Sequence, residues 1–192
     1  MNASLKLQAQ KSQLGFWLYL MTDAMLFASF FATFMVLRHA TNGGVSSQEI
    51  FSLPYVMVET VLLLTSSLTC GIANLALRAG KLQLFRWLLA LTLALGAAFL
   101  GMELIEFDKL IREGNSWTSS AFLSAYFSLV GLHGLHIAVG LLWGLLLGWM
   151  VTRSGNNEHL RRKFGLFTLF WHFLDIVWIF IFTIVYVLGV VS

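Results

Sequence analysis

Apolar positions in this chain come in long runs separated by short polar clusters. A helix crossing the hydrocarbon core of a bilayer needs about 20 predominantly apolar residues. Five stretches meet that requirement: about 15–37, 55–77, 84–107, 121–151 and 166–190. None carries the two-residue alternation of a membrane β-strand. With no water inside the bilayer to satisfy open backbone groups, α-helices are the remaining solution. The pattern therefore predicts an all-α polytopic membrane protein with five transmembrane helices, with residues 1–192 as one membrane domain. The stretch 121–151 is longer than a crossing requires, which predicts a tilted helix or one that projects beyond the bilayer. The opening MNASLKLQAQKSQL is polar and lacks the short apolar core and small-residue site of a cleaved leader, so the first helix is read as retained.

Composition agrees with this reading. The chain is 58% hydrophobic and 11% charged, too apolar for the surface of a soluble domain. One cysteine, Cys70, excludes an internal disulfide, and one proline with no Ser/Gly-rich linker argues against a second domain. The formal charge of +3 comes from loop lysines and arginines and carries no nucleic-acid signal. Those loop charges set direction. Lys6 and Lys11, then Arg78, Lys81 and Arg86, then Arg153, Arg161, Arg162 and Lys163 fall on one side, nine in all. Arg38, Lys109 and Arg112 fall on the other. The positive-inside rule then predicts a cytoplasmic N-terminus and an outer, periplasmic C-terminus. Trp17, Trp87, Trp117, Trp149 and Trp171 lie near segment ends, where aromatic belts form.

Against this apolar background the ionisable residues at membrane depth stand out: Asp23, Glu59, Glu103, Glu106, His133, His136, His172 and Asp175. Such residues are costly in lipid and face the protein interior. In GLHGLHIAVGLLWGLLLG, His133 and His136 precede Gly140, Gly144 and Gly148, a small-xxx-small stripe that admits close helix packing. At about 100° per residue both histidines fall within about 60° of the start of that stripe, so they should face a neighbouring helix. In the last segment Thr168, His172, Asp175, Thr183 and Tyr186 share one stripe. His172 and Asp175, at i and i+3, are predicted to exchange a proton or a hydrogen bond and to lock the last helix against the fourth. Glu59 heads a stripe with Ser66, Cys70 and Asn74; Glu103 and Glu106 are i, i+3 neighbours; Asp23 shares a face with Phe27, Phe30 and Phe34.

These groups admit several roles. His-x-x-His suits a metal or haem, but ligation needs further donors and a second shell, and the chain offers no convincing set. Interhelical hydrogen bonding is the favoured reading, with a proton relay the main alternative for His172 and Asp175. Glu59, Glu103 and Glu106 suit a proton site, an interface bond or a lipid head-group contact. The basic run HLRRKFG is first a topology signal and also suits anionic lipid.

Four stretches together resemble subunit III of the haem–copper terminal oxidases. GFWLYLMTDAMLFASFFATF is similar to the first helix of its bacterial form, and VETVLLLTSSLTCGIA to the second. GLHGLHIAVG resembles its His-Gly-x-His helix, and WHFLDIVWIFIFTIVYVLG its Trp-His-Phe-x-Asp final helix. The likeness runs from about Gly15 to Gly189. Within the bacterial group GMELIEF, FLSAYFSLVGLHGLH and LFWHFLDIVWIFIFTIVYVLG are most similar to the bo-type ubiquinol oxidase branch, with the aa- and caa-type cytochrome c oxidases second. The resemblance implies a complex of the bacterial inner membrane that reduces dioxygen to water and pumps protons. It implies haems and copper in subunit I, none in this chain, and direct packing on subunit I with subunits II and IV alongside. It implies bound phospholipid, no catalytic centre here, and a role in assembly and stability. The family's polar positions map to Glu59, Glu103, His133, His136, His172 and Asp175, none of them a redox ligand. Two other readings make different predictions: a haem-b carrier using His133 or His136 with His172, and a proton or solute transporter, against which stands the lack of an inverted repeat.

Overall fold

The computed structural model describes residues 3–41, 52–154 and 157–191, which are helical apart from short turns and contain no strand. The helices are α1 (Ala3–Leu37), α2 (Leu53–Arg78), α3 (Leu82–Arg112), α4 (Ala121–Ser154) and α5 (Glu158–Ile181). A π-helical turn, Phe182–Val187, and a short α6, Leu188–Val191, continue α5. Each of the five long helices is long and apolar enough to cross a membrane. Their ends run past the apolar stretches. α3 continues to Arg112 and α5 begins at Glu158, ahead of the predicted 107 and 166. The added turns are polar and held by i, i+4 pairs, Arg112 with Asp108 at 2.8 Å and Arg162 with Glu158 at 3.2 Å.

The helix ends follow local chemistry. Pro54, in the first turn of α2, occupies a site where an N–H would have no intrahelical partner. At the end of α2, Gly80 takes φ 75°, its N–H donates to Leu77 O at 3.2 Å, and Lys81 N–H donates to Ala76 O at 2.9 Å. At the end of α3, Gly114 takes φ 85° and repeats the pattern, with Gly114 on Ile111 O and Asn115 on Leu110 O. Both are left-handed closures that a side chain would strain. The Asn157 side chain caps α5 by accepting from Leu160 N–H at 2.8 Å.

α2 pairs most extensively with α3, and α4 and α5 complete a four-helix core; α1 leans on α4 and α5 rather than on α2 or α3. α1 buries Leu20, Asp23, Phe27 and Phe34 along one stripe, the face predicted for Asp23. The glycine stripe of α4 receives side chains. A Cβ at Gly140 would lie 2.8 Å from the Trp171 ring, and one at Gly144 would lie 2.6 Å from Leu93 and 3.1 Å from Phe167. Gly148 faces Leu89 at 3.2 Å. Close packing is thus achieved, but by aromatic rings of α5 and leucines of α3 set into notches.

Four of the five tryptophans placed at helix ends, Trp17, Trp87, Trp117 and Trp149, are exposed, as a belt requires. Trp171 corrects that set. It is 1% exposed, wedged between Gly96 and Gly140, and it donates to Ser66 Oγ at 2.7 Å. Because α5 starts at Glu158, Trp171 lies more than three turns inside the helix.

Candidate functional site

Polar side chains in the bundle fall into three groups. Connections at one end (79–81, and the turn into α5) define the basic end; the 112–121 connection marks the opposite end.

The first group lies towards the end marked by the 112–121 connection. Glu59 of α2 and Glu103 of α3 are buried, and Glu106, half-buried, follows Glu103 three residues on along α3. Tyr186 donates to Glu106 Oε2 at 3.2 Å and meets the Tyr126 hydroxyl at 3.1 Å, so α3, α4 and the π turn converge there. Tyr55 of α2 donates to Met102 O at 2.9 Å. Glu103 fits because residue 134 has no side chain: a Cβ there would lie 2.5 Å from Glu103 Oε1. Neither oxygen of Glu59, nor Oε2 of Glu103, has a hydrogen-bond partner among the described residues.

The π turn explains why Tyr186 belongs to this group. Thr183 and Tyr186 were expected on the stripe of His172 and Asp175, but Thr183 is exposed while Tyr186 is fully buried. A wider i→i+5 turn advances less per residue than an α-helix, so phase counted at 100° fails beyond Ile181.

The second group joins α1, α4 and α5. His136 Nδ1 lies 2.7 Å from Leu132 O, and its Nε2 lies 3.3 Å from both Asp23 oxygens. His133, fully buried, stacks on Trp178 at 5.3 Å and meets the edge of Phe99 at 5.8 Å. Its two ring nitrogens have no partner among the described residues. Trp178 donates to Thr60 Oγ1 at 3.0 Å, so Trp171 and Trp178, two turns apart, both tie α5 to α2. The two α4 histidines do face neighbouring helices, as predicted: both meet Phe27 of α1 and aromatic rings of α5, and His133 also meets Phe99 of α3.

The third group corrects the predicted lock. His172 and Asp175 turn towards α2 rather than α4. The His172 ring lies against Gly71, 3.6 Å from where a Cβ would sit, and its Nδ1 is 2.7 Å from Thr168 O. Asp175 has Ser67 of α2 and His172 as polar neighbours, while its Oδ1 lacks a hydrogen-bond partner among the described residues. Cys70 reaches Thr168 Oγ1 at 3.9 Å in the same seam, and Asn74 leaves its Oδ1 unpartnered. His133 and His136 therefore form no joint patch with His172 and Asp175.

At the basic end lies a cavity of about 780 Å³ among the first turns of α5, the end of α2 and the start of α1. Arg78, His159, Arg161, Arg162 and Lys163 line it, with Trp17 as an apolar wall.

These arrangements place hydrogen bonds between helices. Among the described residues no three His, Cys, Asp or Glu side chains are grouped so as to hold a metal ion. The sequence pointed to Asp23, Glu59, Ser66, Glu103 and His133, which are buried, and to Glu106, His136, His172 and Asp175, which are half-buried, but not to Tyr126, Thr60 or the Asp23–His136 contact. Tyr126 was the most accessible of these, since it lies seven residues before His133 on one face of α4.

Comparison with known proteins gives a consistent result. The sequence matches the family described as Cytochrome c oxidase subunit III over residues 6–190. It is 54% identical over 176 residues to cytochrome bo(3) ubiquinol oxidase subunit 3 of Pseudomonas aeruginosa, covering 91% of this chain and 84% of that protein. It is 45% identical over 186 residues to cytochrome c oxidase subunit 3 of Bacillus sp. (strain PS3), covering 97% and 90%. Quinol oxidase subunit 3 of Bacillus subtilis is 43% identical over 194 residues, covering 98% and 94%.

Proposed function

This chain belongs to the cytochrome c oxidase subunit III family, and from that we propose that it serves as the non-catalytic subunit III of a bo-type, proton-pumping ubiquinol oxidase. The observation that carries the reading is similarity to a bo(3) relative across nine-tenths of the chain, taking in both the GLHGLH and WHFLD stretches. In this reading the chain sits in the bacterial inner membrane with its basic end in the cytoplasm, packs directly on subunit I and neighbours subunits II and IV. Haem and copper belong to subunit I. The geometry supports a chain without its own redox centre: His136 is engaged with Asp23 and Leu132, His172 with Thr168, and His133 lies between aromatic rings. Phospholipid is a further partner. The basic cavity offers several cations and an indole to an anionic head group, as basic pockets between cytoplasmic helix ends do.

A second reading, subunit III of an aa- or caa-type cytochrome c oxidase, draws on the similarity to the Bacillus PS3 protein. One purification tests both. The tagged chain, taken from its own membranes in mild detergent, is expected to carry a large haem-binding subunit and to oxidise ubiquinol. Oxidation of cytochrome c, with a copper-bearing partner domain, would select the second reading. A chain that purifies alone with its own haem absorption would overturn both.

A further inference from the structure

The cavity at the basic end is built in two levels. Ser12 and Gln13 of α1, Arg78 of α2 and the first turns of α5 make a polar upper level. Trp17 of α1 and Leu166 and Leu169 of α5 make an apolar lower one. Trp17 lies five residues beyond Ser12, and Leu169 six beyond Lys163, which sets them roughly 8 Å deeper along their helices. A soluble anion has no use for such a floor, whereas a phospholipid places its phosphate above and its acyl chains below. The volume of about 780 Å³ lies in the range that holds a whole small molecule rather than a lone phosphate.

The charges of the upper level fall into two poles. Among the described residues its lining has four arginine or lysine side chains and one carboxylate, Glu158, which Arg162 engages at 3.2 Å. Arg78 and Lys163 have no ion-pair partner among the described residues. The Arg78 guanidinium lies against Gly165, its Nη2 3.8 Å from where a Cβ would sit there. Arg161, one turn before Gly165, shares that flank of α5. Lys163 is two residues from each of them, about 200° round the helix, and stands on the other flank. A single phosphodiester carries one negative charge and answers one pole. We propose that the cavity takes a phospholipid with two phosphodiester groups joined through glycerol. One phosphate lies between Arg78 and Arg161, the other on Lys163, and the acyl chains run down past Trp17, Leu166 and Leu169. The capped N-terminus of α5 adds its dipole to the attraction. α1 and α2 both line the cavity but are not among the extensively paired helices, so the lipid also fills the gap between them. The proposal rests on the assignment of this cavity to a phospholipid and deepens it by naming the head group.

The test uses the complex purified through the tagged chain in mild detergent. Phosphatidylglycerol carrying a photoactivatable group high on an acyl chain should label Trp17, Leu166 or Leu169, as mapped by mass spectrometry of the peptides. Unlabelled cardiolipin should displace it at about one-tenth of the concentration that unlabelled phosphatidylglycerol needs. Arg78→Gln and Lys163→Gln, one from each pole, should each erase that preference while the label still enters. Arg86→Gln, basic but outside the cavity lining, should keep it. A preference no larger than the doubling of head groups per molecule, or one that survives both cavity variants, would overturn the two-phosphate inference. Displacement by the deacylated, water-soluble head group as effective as by cardiolipin would replace the lipid with a soluble phosphate ester. Label from neither lipid in the cavity would overturn the phospholipid assignment itself. A chain that purified with no oxidase subunit would overturn the oxidase reading and leave this competition readable.

Discussion

His136 of α4 reaches Asp23 of α1 across the bundle, its Nε2 lying 3.3 Å from both carboxylate oxygens. α1 has few other polar ties to the core, and this contact sets its rotation, since Phe27 and Phe34 follow Asp23 on the same buried face. Removing either partner leaves a buried polar group exposed to hydrocarbon. Asp23→Ala and His136→Ala should each lower stability in detergent by about 1–3 kcal/mol, and the double variant should cost less than the sum by about 0.5–3 kcal/mol. Additive losses in denaturant unfolding would show that the contact contributes nothing.

The notches on α3 and α4 make a sharper claim, because glycines differ in what faces them. A Cβ at Gly140 or Gly96 would lie 2.8 or 2.7 Å from the Trp171 ring, whereas nothing lies within 4 Å of one at Gly101. Gly140→Ala and Gly96→Ala should therefore destabilise by about 1–3 kcal/mol through overpacking. Gly101→Ala should be neutral or stabilising by up to about 1 kcal/mol through helix propensity. Thermal unfolding in detergent compares the three directly.

Tyr186 joins the π turn to Glu106, and its ring is buried whatever its hydroxyl does. Tyr186→Phe keeps the ring and removes the donor. It should cost about 0.5–1.5 kcal/mol, the worth of one hydrogen bond, because the Tyr126 hydroxyl remains beside Glu106. Combined with Glu106→Leu, the loss should shrink, since no acceptor then remains. An unchanged loss in the double variant would place the effect in packing.

His172 and Asp175 should behave unlike His136 and Asp23. No hydrogen bond joins them; His172 Nδ1 is taken up by Thr168 O. The double-mutant cycle of His172→Ala and Asp175→Ala, read on the isolated chain, should couple by less than about 0.5 kcal/mol. A larger coupling would restore the lock inferred from their spacing.

The five crossings were legible because each rests on a long apolar run, and a run of that length has one outcome in a bilayer. Sidedness was legible too where the helix stays regular: Asp23 with Phe27 and Phe34 on α1, and Glu59 with Ser66 and Cys70 on α2, came out buried, while Phe30 and Asn74 of the same predicted faces are half-buried. Partner choice was not legible. Helical phase says that His172 and Asp175 share a face, but which neighbour that face meets depends on how α2 and α4 flank α5, and nothing in one helix encodes that. Trp171 was misplaced because the apolar run marks the start of hydrophobicity and not the start of the helix, which Asn157 sets further back. The indole–hydroxyl bonds of Trp171 and Trp178 were invisible for a related reason, since serine and threonine are common in such helices and only the fold decides which ones meet a ring.

The π turn at Phe182–Val187 also bears on how this chain tolerates changes in length. A π turn holds one residue more than the α-helical turn it replaces, and here Thr183 faces outward. Loss of that one residue would close the ladder into ordinary α-helix while Tyr186 kept its bearing on Glu106. The same loss from the unbroken α3 would swing everything after it by about 100° and carry the carboxyl groups away from their neighbours. Among the described residues, the end of the last helix is thus the stretch where a single-residue deletion leaves the buried contacts in register.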